Sequence, residues 1–205
     1  PTIAKRTGLL QFEVLIDLVK SIEQGKLKGY DLYGLDSITQ FETVVKEYIV
    51  KKYAPNRRRE IEGKFGAMAD WGDLKDLITQ FVKRVHGLTK RGSESIHWIW
   101  TAHVTEEKDD ITEKTIATKI QLQGRNTAEV VMSIVDAIFY MYNRSVEIEE
   151  NGKKQNEVER YIFTQQIGVY VAGVRQSKRS EPLPAMIKDP IWSDIFERLG
   201  YTKRD

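Results

Sequence analysis

Asp36 and His103 each follow a short apolar run of the sequence. The run YDLYGL is followed by Asp36 and Ser37, and the run HWIWTA is followed by His103. A carboxylate in such a place can hold Mg²⁺ through water, because Mg²⁺ gives up its hydration shell reluctantly. A polar side chain at the end of the second run can hydrogen-bond a phosphate oxygen or an attacking water. Both positions are therefore candidates for metal-assisted phosphate chemistry.

The two apolar runs predict buried strands, and the residues around them predict helices. Apolar residues at helical spacing predict helices over 8–24 and 39–53, and Asp70 is expected to cap a third helix. Strands that alternate with helices indicate an α/β protein with an open, mainly parallel sheet flanked by helices. Ligands of such sheets bind at the C-terminal ends of the strands. This rule selects Asp36, Ser37 and His103.

The second half of the chain predicts an antiparallel β extension on the C-terminal side. Residues 104–125 are polar and charged and predict a long loop or hairpin. The sequence ENGKK at 150–154 predicts a tight turn, since Asn-Gly readily takes positive φ angles. Strands are expected near 158–164 and 168–174, followed by a closing helix in WSDIFERLG. Without repeats or a low-complexity linker, the sequence predicts a single domain over residues 1–205.

Both candidate residues also have simpler structural interpretations. An aspartate after a strand often caps the next helix. A histidine at a strand end often bonds a neighbouring backbone carbonyl. The sequence alone leaves these alternatives open.

The composition excludes several classes of protein. The chain has 205 residues, 32 Lys plus Arg against 30 Asp plus Glu, no Cys and three His. This excludes disulfide scaffolds and thiolate metal sites and argues against a multi-histidine zinc site. No apolar run is long enough for a membrane span, and the N-terminus lacks the apolar core of a signal peptide. We therefore expect a soluble, cytoplasmic protein without membrane contact.

Five segments, taken in order, resemble the RecA-like ATP-binding proteins of phages, which include AAA-domain and phage nucleotide-binding proteins linked to recombination. The segments are GYDLYGLDSITQFE, ADWGDLKDLITQFVKRV, IHWIWTAHVTEEKDD, KIQLQGRNTAEVVMSIVDAIFYM and SKRSEPLP. The resemblance covers most of residues 28–200. It implies a RecA-like sheet, in which YDLYGLDS is the Walker B strand, and ATP and Mg²⁺ as cofactors. It also implies assembly of identical subunits into a ring or filament.

The resemblance also implies roles for individual residues. Asp36 would be the acid on the magnesium side, with Ser37 as its partner at the strand tip, and His103 would sense the phosphate. Arg175, Lys178 and Arg179 are candidates for a basic finger that reaches ATP in a neighbouring subunit. A cation there would stabilise the charge on the transferring phosphoryl group. A solvated basic loop is the alternative for these last three residues.

Single-stranded DNA is the partner that the resemblance implies. RecA-like proteins bind single strands with loops in the region of 104–125, where Lys119 and Arg125 are the candidate phosphate contacts. Arg57, Arg58 and Arg59 form a further local basic cluster. The loop 104–125 also carries five acidic residues, so a solvated flexible loop remains the alternative.

One element of the family pattern does not occur in this sequence. A P-loop requires G-x-x-x-x-G-K-[ST], and no such run is present in the 205 residues. Either a preceding segment, which the start at Pro1 instead of Met allows, supplies the loop, or the chain is a degenerate relative. The leading hypothesis is accordingly a RecA-like ATPase acting on single-stranded DNA in a phage-type recombination or replication system. The alternatives are a non-catalytic RecA-like scaffold and, more weakly, a metal-dependent nuclease using Asp109 and Asp110.

Overall fold

The computed structural model contains helices and strands in the mixed order expected of an α/β protein. The residues it describes are 9–27, 32–88, 96–124, 126–150, 153–175 and 181–200. They form two compact units, one of residues 1–104 and 120–134 and the other of residues 105–119 and 135–205. The single RecA-like domain over 1–205 stays a prediction.

The first unit consists of helices around one short pair of parallel strands. Its elements are α1 (Gln11–Glu23), β1 (Leu32–Leu35), α2 (Ile38–Tyr48) with a π-helical turn (Ile49–Tyr53), α3 (Met68–Leu88), β2 (His97–Trp100) and α4 (Thr127–Ile134). β1 and β2 pair in parallel, with Leu32 beside His97 and Leu35 beside Trp100. Because the strands run in the same direction, their C-terminal ends lie at the same edge.

The core of the first unit is the set of apolar stripes that the helical spacing predicted. Val19 of α1, Val45 of α2 and Ile78 of α3 are buried in one cluster. Phe81 packs against Phe41 with ring centroids 4.5 Å apart. The half-buried Trp98 and Trp100 of β2 pack on the same cluster. The helices therefore hold the β1–β2 pair by burying apolar surface against it.

The start of α3 is fixed by a buried carboxylate. Asp70 is fully buried and accepts hydrogen bonds from Arg57 Nη1 at 2.6 Å and from Arg59 Nε at 2.9 Å. It also accepts from the backbone N–H groups of Gly66 and Ala67 at 3.1 and 3.0 Å. Asp70 thus caps the helix, as expected, but from inside the first turn, since α3 begins at Met68.

The same contacts change the interpretation of the basic cluster. Arg57 also pairs with Asp73 at 2.6 Å, and the Arg59 side chain is 2% exposed. Two of the three arginines are therefore occupied by carboxylates, and Arg58 alone of the three is exposed.

The second unit is built from antiparallel strands. Its elements are β3 (Val104–Lys108), which begins on the last residue of the first unit, β4 (Thr115–Ile120), β5 (Ala137–Ile138), β6 (Tyr140–Glu150), β7 (Lys153–Phe163), β8 (Gly173–Val174), β9 (Met186–Lys188) and α5 (Trp192–Arg198). β6 and β7 pair along their full length, from Tyr140 beside Phe163 to Glu150 beside Lys153. The predicted Asn151-Gly152 turn lies outside the described residues.

Three sequence expectations need adjustment. Residues 104–120 form the β3–β4 hairpin, the second of the two alternatives for that region. The strand expected over 168–174 is reduced to Gly173–Val174 and an isolated bridge between Ile167 and Tyr170. Among the described residues, the only parallel pair is β1–β2. A larger RecA-like parallel sheet therefore stays a prediction.

Candidate functional site

The parallel register of β1 and β2 places Asp36 beside Thr101. Leu35 pairs with Trp100, so the next residue of each strand leaves the sheet at the same edge. Thr101 N–H donates to the Leu35 carbonyl at 3.1 Å, and Ile38 N–H donates to the Thr101 carbonyl at 2.9 Å. The Thr101 hydroxyl donates to the carboxylate oxygen Oδ1 of Asp36. The two strand ends are thus joined by backbone and side-chain bonds.

Asp36 does not cap the helix that follows. Ser37 is the N-cap of α2, and its hydroxyl accepts a hydrogen bond from Gln40 N–H at 3.1 Å. Ser37 is buried, whereas Asp36 is exposed. Capping by a serine leaves the aspartate carboxylate free of that structural task. Asp36 is therefore not the cap of α2. The Ser37 hydroxyl is the cap, and it is bonded to Gln40 N–H at the N-terminus of the helix.

His103 lies at the same edge, but its backbone makes the contacts. Its N–H donates to the Thr39 hydroxyl at 3.0 Å, and its carbonyl accepts from Gln121 N–H at 2.7 Å. The side chain of His103 is exposed. Within the described parts of the chain, the side chain that contacts Asp36 is Thr101 and not His103.

The segment that follows β4 is held against α2 by a second group of polar residues. Glu42 is buried and accepts from Gln123 N–H at 2.7 Å. Lys46 lies 2.5 Å from Glu42 Oε1 and donates to Gln123 Oε1 at 2.6 Å. The Lys46 ammonium also lies 5.5 Å from the ring centroids of Phe65 and Trp71. These contacts hold Gln123 in place beside α2, just before Gly124 and α4.

The other candidate residues lie elsewhere in the chain. In the second unit, Lys119 forms an ion pair with Glu107 at 3.5 Å, and Arg175 is exposed with its N–H bonded to the Asp136 carbonyl at 2.8 Å. Arg125, Lys178 and Arg179 lie outside the described residues.

Asp109, one of the two adjacent aspartates of the β3–β4 hairpin, has a structural role at its tip. Asp109 Oδ1 accepts from the N–H of Ile111 at 3.1 Å, and from the N–H and hydroxyl of Thr112 at 2.7 and 2.8 Å. The backbone and hydroxyl hydrogen bonds of Thr112, followed by that of Ile111, lower the pKa of Asp109. No group of three or more His, Cys, Asp or Glu side chains is arranged to hold a metal in the part of the chain that the structure describes.

Sequence reasoning missed Thr101 and Thr39. Thr101 directly precedes Ala102 and His103, and of the polar residues in this segment the sequence favoured His103 as the phosphate contact. The residue that follows the second apolar run in the sequence is His103. Thr101 lies beside Asp36 because Leu35 pairs with Trp100, and local sequence pattern does not specify that register.

A family model described as an AAA domain matches residues 2–176. The chain belongs to this AAA-domain family. The match covers most of the sequence and includes β1, β2, Asp36, Thr101 and His103. No match was found among curated proteins or among solved structures.

Membership of the AAA-domain family supports a nucleotide-binding ATPase of the P-loop class. This family generally uses ATP with Mg²⁺. In this AAA domain, the Asp36 carboxylate is suited in one respect to act as a ligand of Mg²⁺. Asp36 is exposed, and one of its oxygens accepts from Thr101, while no contact of the other oxygen is found within the described residues. None of the described helices is both long enough and apolar enough to span a bilayer.

Proposed function

We propose that this AAA domain contributes the magnesium-side half of an ATP-hydrolysing site. The observation that carries the proposal is the junction at the ends of β1 and β2, where Asp36 is exposed and oriented by Thr101 while Ser37 caps α2. A carboxylate at this edge is suited to hold Mg²⁺ through water. The chemistry that Mg²⁺ supplies with ATP is neutralisation of charge on the phosphate oxygens.

The chain's own residues would orient the metal and the phosphate. Asp36 would accept hydrogen bonds from metal-bound water, and His103 would donate a hydrogen bond towards the γ-phosphate. The reaction is attack of water on the γ-phosphorus, with the bond to the bridging oxygen breaking and ADP leaving. The proposal includes a P-loop contributed from outside these 205 residues, because they contain no G-x-x-x-x-G-K-[ST] run.

The finer part of the proposal is action on single-stranded DNA in a phage-type recombination or replication system. It is supported by the five ordered segments that resemble the phage RecA-like proteins. Lys119 and Arg125 are the proposed phosphate contacts, and Lys178 or Arg179 is the proposed finger of a neighbouring subunit. Assembly into a ring or filament follows from that last role.

Calorimetric titration with ATP, with and without Mg²⁺, tests the proposal. We expect binding that requires Mg²⁺ and that is weakened by Asp36→Ala. The matched control is Asp76→Ala, which removes an exposed carboxylate from α3. Absence of ATP binding by the complete natural protein would contradict the ATPase proposal and favour the non-catalytic scaffold.

A further inference from the structure

In the described part of the chain, Thr101 is the side chain that bonds the Asp36 carboxylate. Its hydroxyl donates to Asp36 Oδ1, and this is the contact that joins the two strand ends through their side chains. A hydrogen bond to an ionised carboxylate is stronger than one between neutral groups. Because Asp36 is otherwise exposed, this bond restricts a side chain that would sample several rotamers.

The backbone of Thr101 is itself firmly placed. Its N–H bonds the Leu35 carbonyl at 3.1 Å, and its carbonyl accepts from Ile38 N–H at 2.9 Å. These two bonds bracket Asp36 and Ser37 on the neighbouring chain segment. The donor hydroxyl is therefore presented from a fixed position of the sheet edge.

Ser37, the partner of Asp36 in the family resemblance, and His103, the phosphate sensor, have other contacts. The Ser37 hydroxyl is used at the N-cap of α2, where it accepts from Gln40 N–H. His103 is attached through its backbone to Thr39 and Gln121. Thr101 is thus the residue with the direct contact to the carboxylate.

We propose that Thr101 is the positioning residue for Asp36. It holds the carboxylate by one oxygen and leaves the second oxygen available to metal-bound water. This inference rests on the proposed function, because it takes Asp36 as the acid on the magnesium side. It assigns the orienting role to a threonine hydroxyl from the adjacent strand.

The test is a titration with Mn²⁺, which replaces Mg²⁺ and is detected by electron paramagnetic resonance, in the presence of a non-hydrolysable ATP analogue. We expect Thr101→Val, which keeps the side-chain shape and removes the donor, to weaken Mn²⁺ binding about tenfold. Thr101→Ser retains the hydroxyl and should restore the Kd to within about threefold of the wild-type value. Thr101→Ala is the second donor-free variant should the valine form not fold.

The matched control is Thr115→Val. The Thr115 hydroxyl also donates to a carboxylate, Glu106 Oε2 at 2.9 Å, but in the β3–β4 hairpin. Its removal should leave the Mn²⁺ affinity unchanged. Thermal unfolding of each variant separates a structural role from a positioning role, because a structural role alone would lower the Tm without changing the Kd.

The outcomes distinguish this inference from the proposed function. If Asp36→Ala removes Mn²⁺ binding while Thr101→Val binds as the wild type does, the proposed function stands and the role of Thr101 is overturned. If Asp36→Ala binds Mn²⁺ as the wild type does, or no Asp36-dependent binding is present, both are overturned. Weaker binding by Thr101→Val together with recovery by Thr101→Ser supports the positioning role.

Discussion

At the scale of single residues, two aspartates of this AAA domain have contrasting surroundings. Asp70 is fully buried, and its oxygens accept from two arginines and two backbone N–H groups. Asp36 is exposed and accepts from one hydroxyl. The first carboxylate has its bonding capacity filled by the fold, whereas the second retains capacity for a ligand.

Loss of the Asp70 carboxylate should strongly destabilise the first unit. Asp70→Asn leaves Arg57 and Arg59 without their buried counter-charge, which we expect to cost about 3 kcal/mol of unfolding free energy at pH 7. Asp76→Asn, on an exposed face of the same helix, should change stability by less than about 0.5 kcal/mol. Urea unfolding of both variants measures the difference, and equal stabilities would contradict the role assigned to Asp70.

The contribution of Asp70 should also depend on pH. Burial raises the pKa of this carboxyl, but hydrogen bonds from Arg59, Gly66, Arg57 and Ala67 outweigh burial and lower it from 3.8 to about 2. A lowered folded-state pKa gives stability that is present above the unfolded-state value and lost as the pH falls through the folded-state value. We therefore expect about 2 kcal/mol to be lost between about pH 4 and pH 2. This loss should be absent in Asp70→Asn, as measured by urea unfolding across that range.

At the scale of elements, the site depends on the junctions where strands end and helices begin. β1 ends at Leu35, Ser37 caps α2, and Gly124 precedes α4. The apolar spacing predicted α1, α2 and α3 well, because each helix buries a regular stripe. It could not show that Thr101 bonds Asp36 or that Glu42 bonds Gln123, since these contacts join residues 65 and 81 positions apart. Such contacts depend on the register of the tertiary structure and not on local pattern.

Two glycine substitutions should have opposite effects on these elements. Gly124 has a φ of 91°, and a Cβ there would lie 2.9 Å from Thr127 Oγ1. We expect Gly124→Ala to destabilise the protein by more than about 1 kcal/mol. Gly72 lies within α3, where an added Cβ meets nothing within 4 Å, so Gly72→Ala should stabilise by about 0.5–1 kcal/mol. Thermal unfolding compares the two, and a stabilising Gly124→Ala would contradict the tight turn before α4.

At the scale of the whole molecule, membership of the AAA-domain family supports a nucleotide-binding ATPase. In the second unit, the strand pairs β5–β8, β6–β7 and β7–β9 are antiparallel. The mixture of helices and strands was predictable from the sequence because the hydrophobic period changes along the chain. The division into two compact units was not, because residues 105–119 belong with the C-terminal strands and not with their sequence neighbours. The sequence becomes polar and charged from residue 104, but composition does not show which unit this segment joins.

The proposed basic finger can be tested by mixing two inactive variants. Asp36→Ala would remove the magnesium-side acid, and the double variant Lys178→Ala, Arg179→Ala would remove the finger. If the finger acts on a neighbouring subunit, some interfaces of a mixed assembly combine an intact acid with an intact finger. We expect phosphate release from the mixture to exceed that of either variant alone, reaching up to about a quarter of the wild-type rate. A mixture no more active than its components would contradict action between subunits.

Mg²⁺-dependent phosphate release from ATP by the complete natural protein tests the proposed role of Asp36 as the acid on the magnesium side of an ATPase site. We predict that Asp36→Ala lowers this rate at least about 100-fold, with far-ultraviolet circular dichroism and Tm close to those of the wild type. Asp76→Ala, the matched surface control, should keep the wild-type rate. Unchanged phosphate release by a folded Asp36→Ala protein would contradict the account.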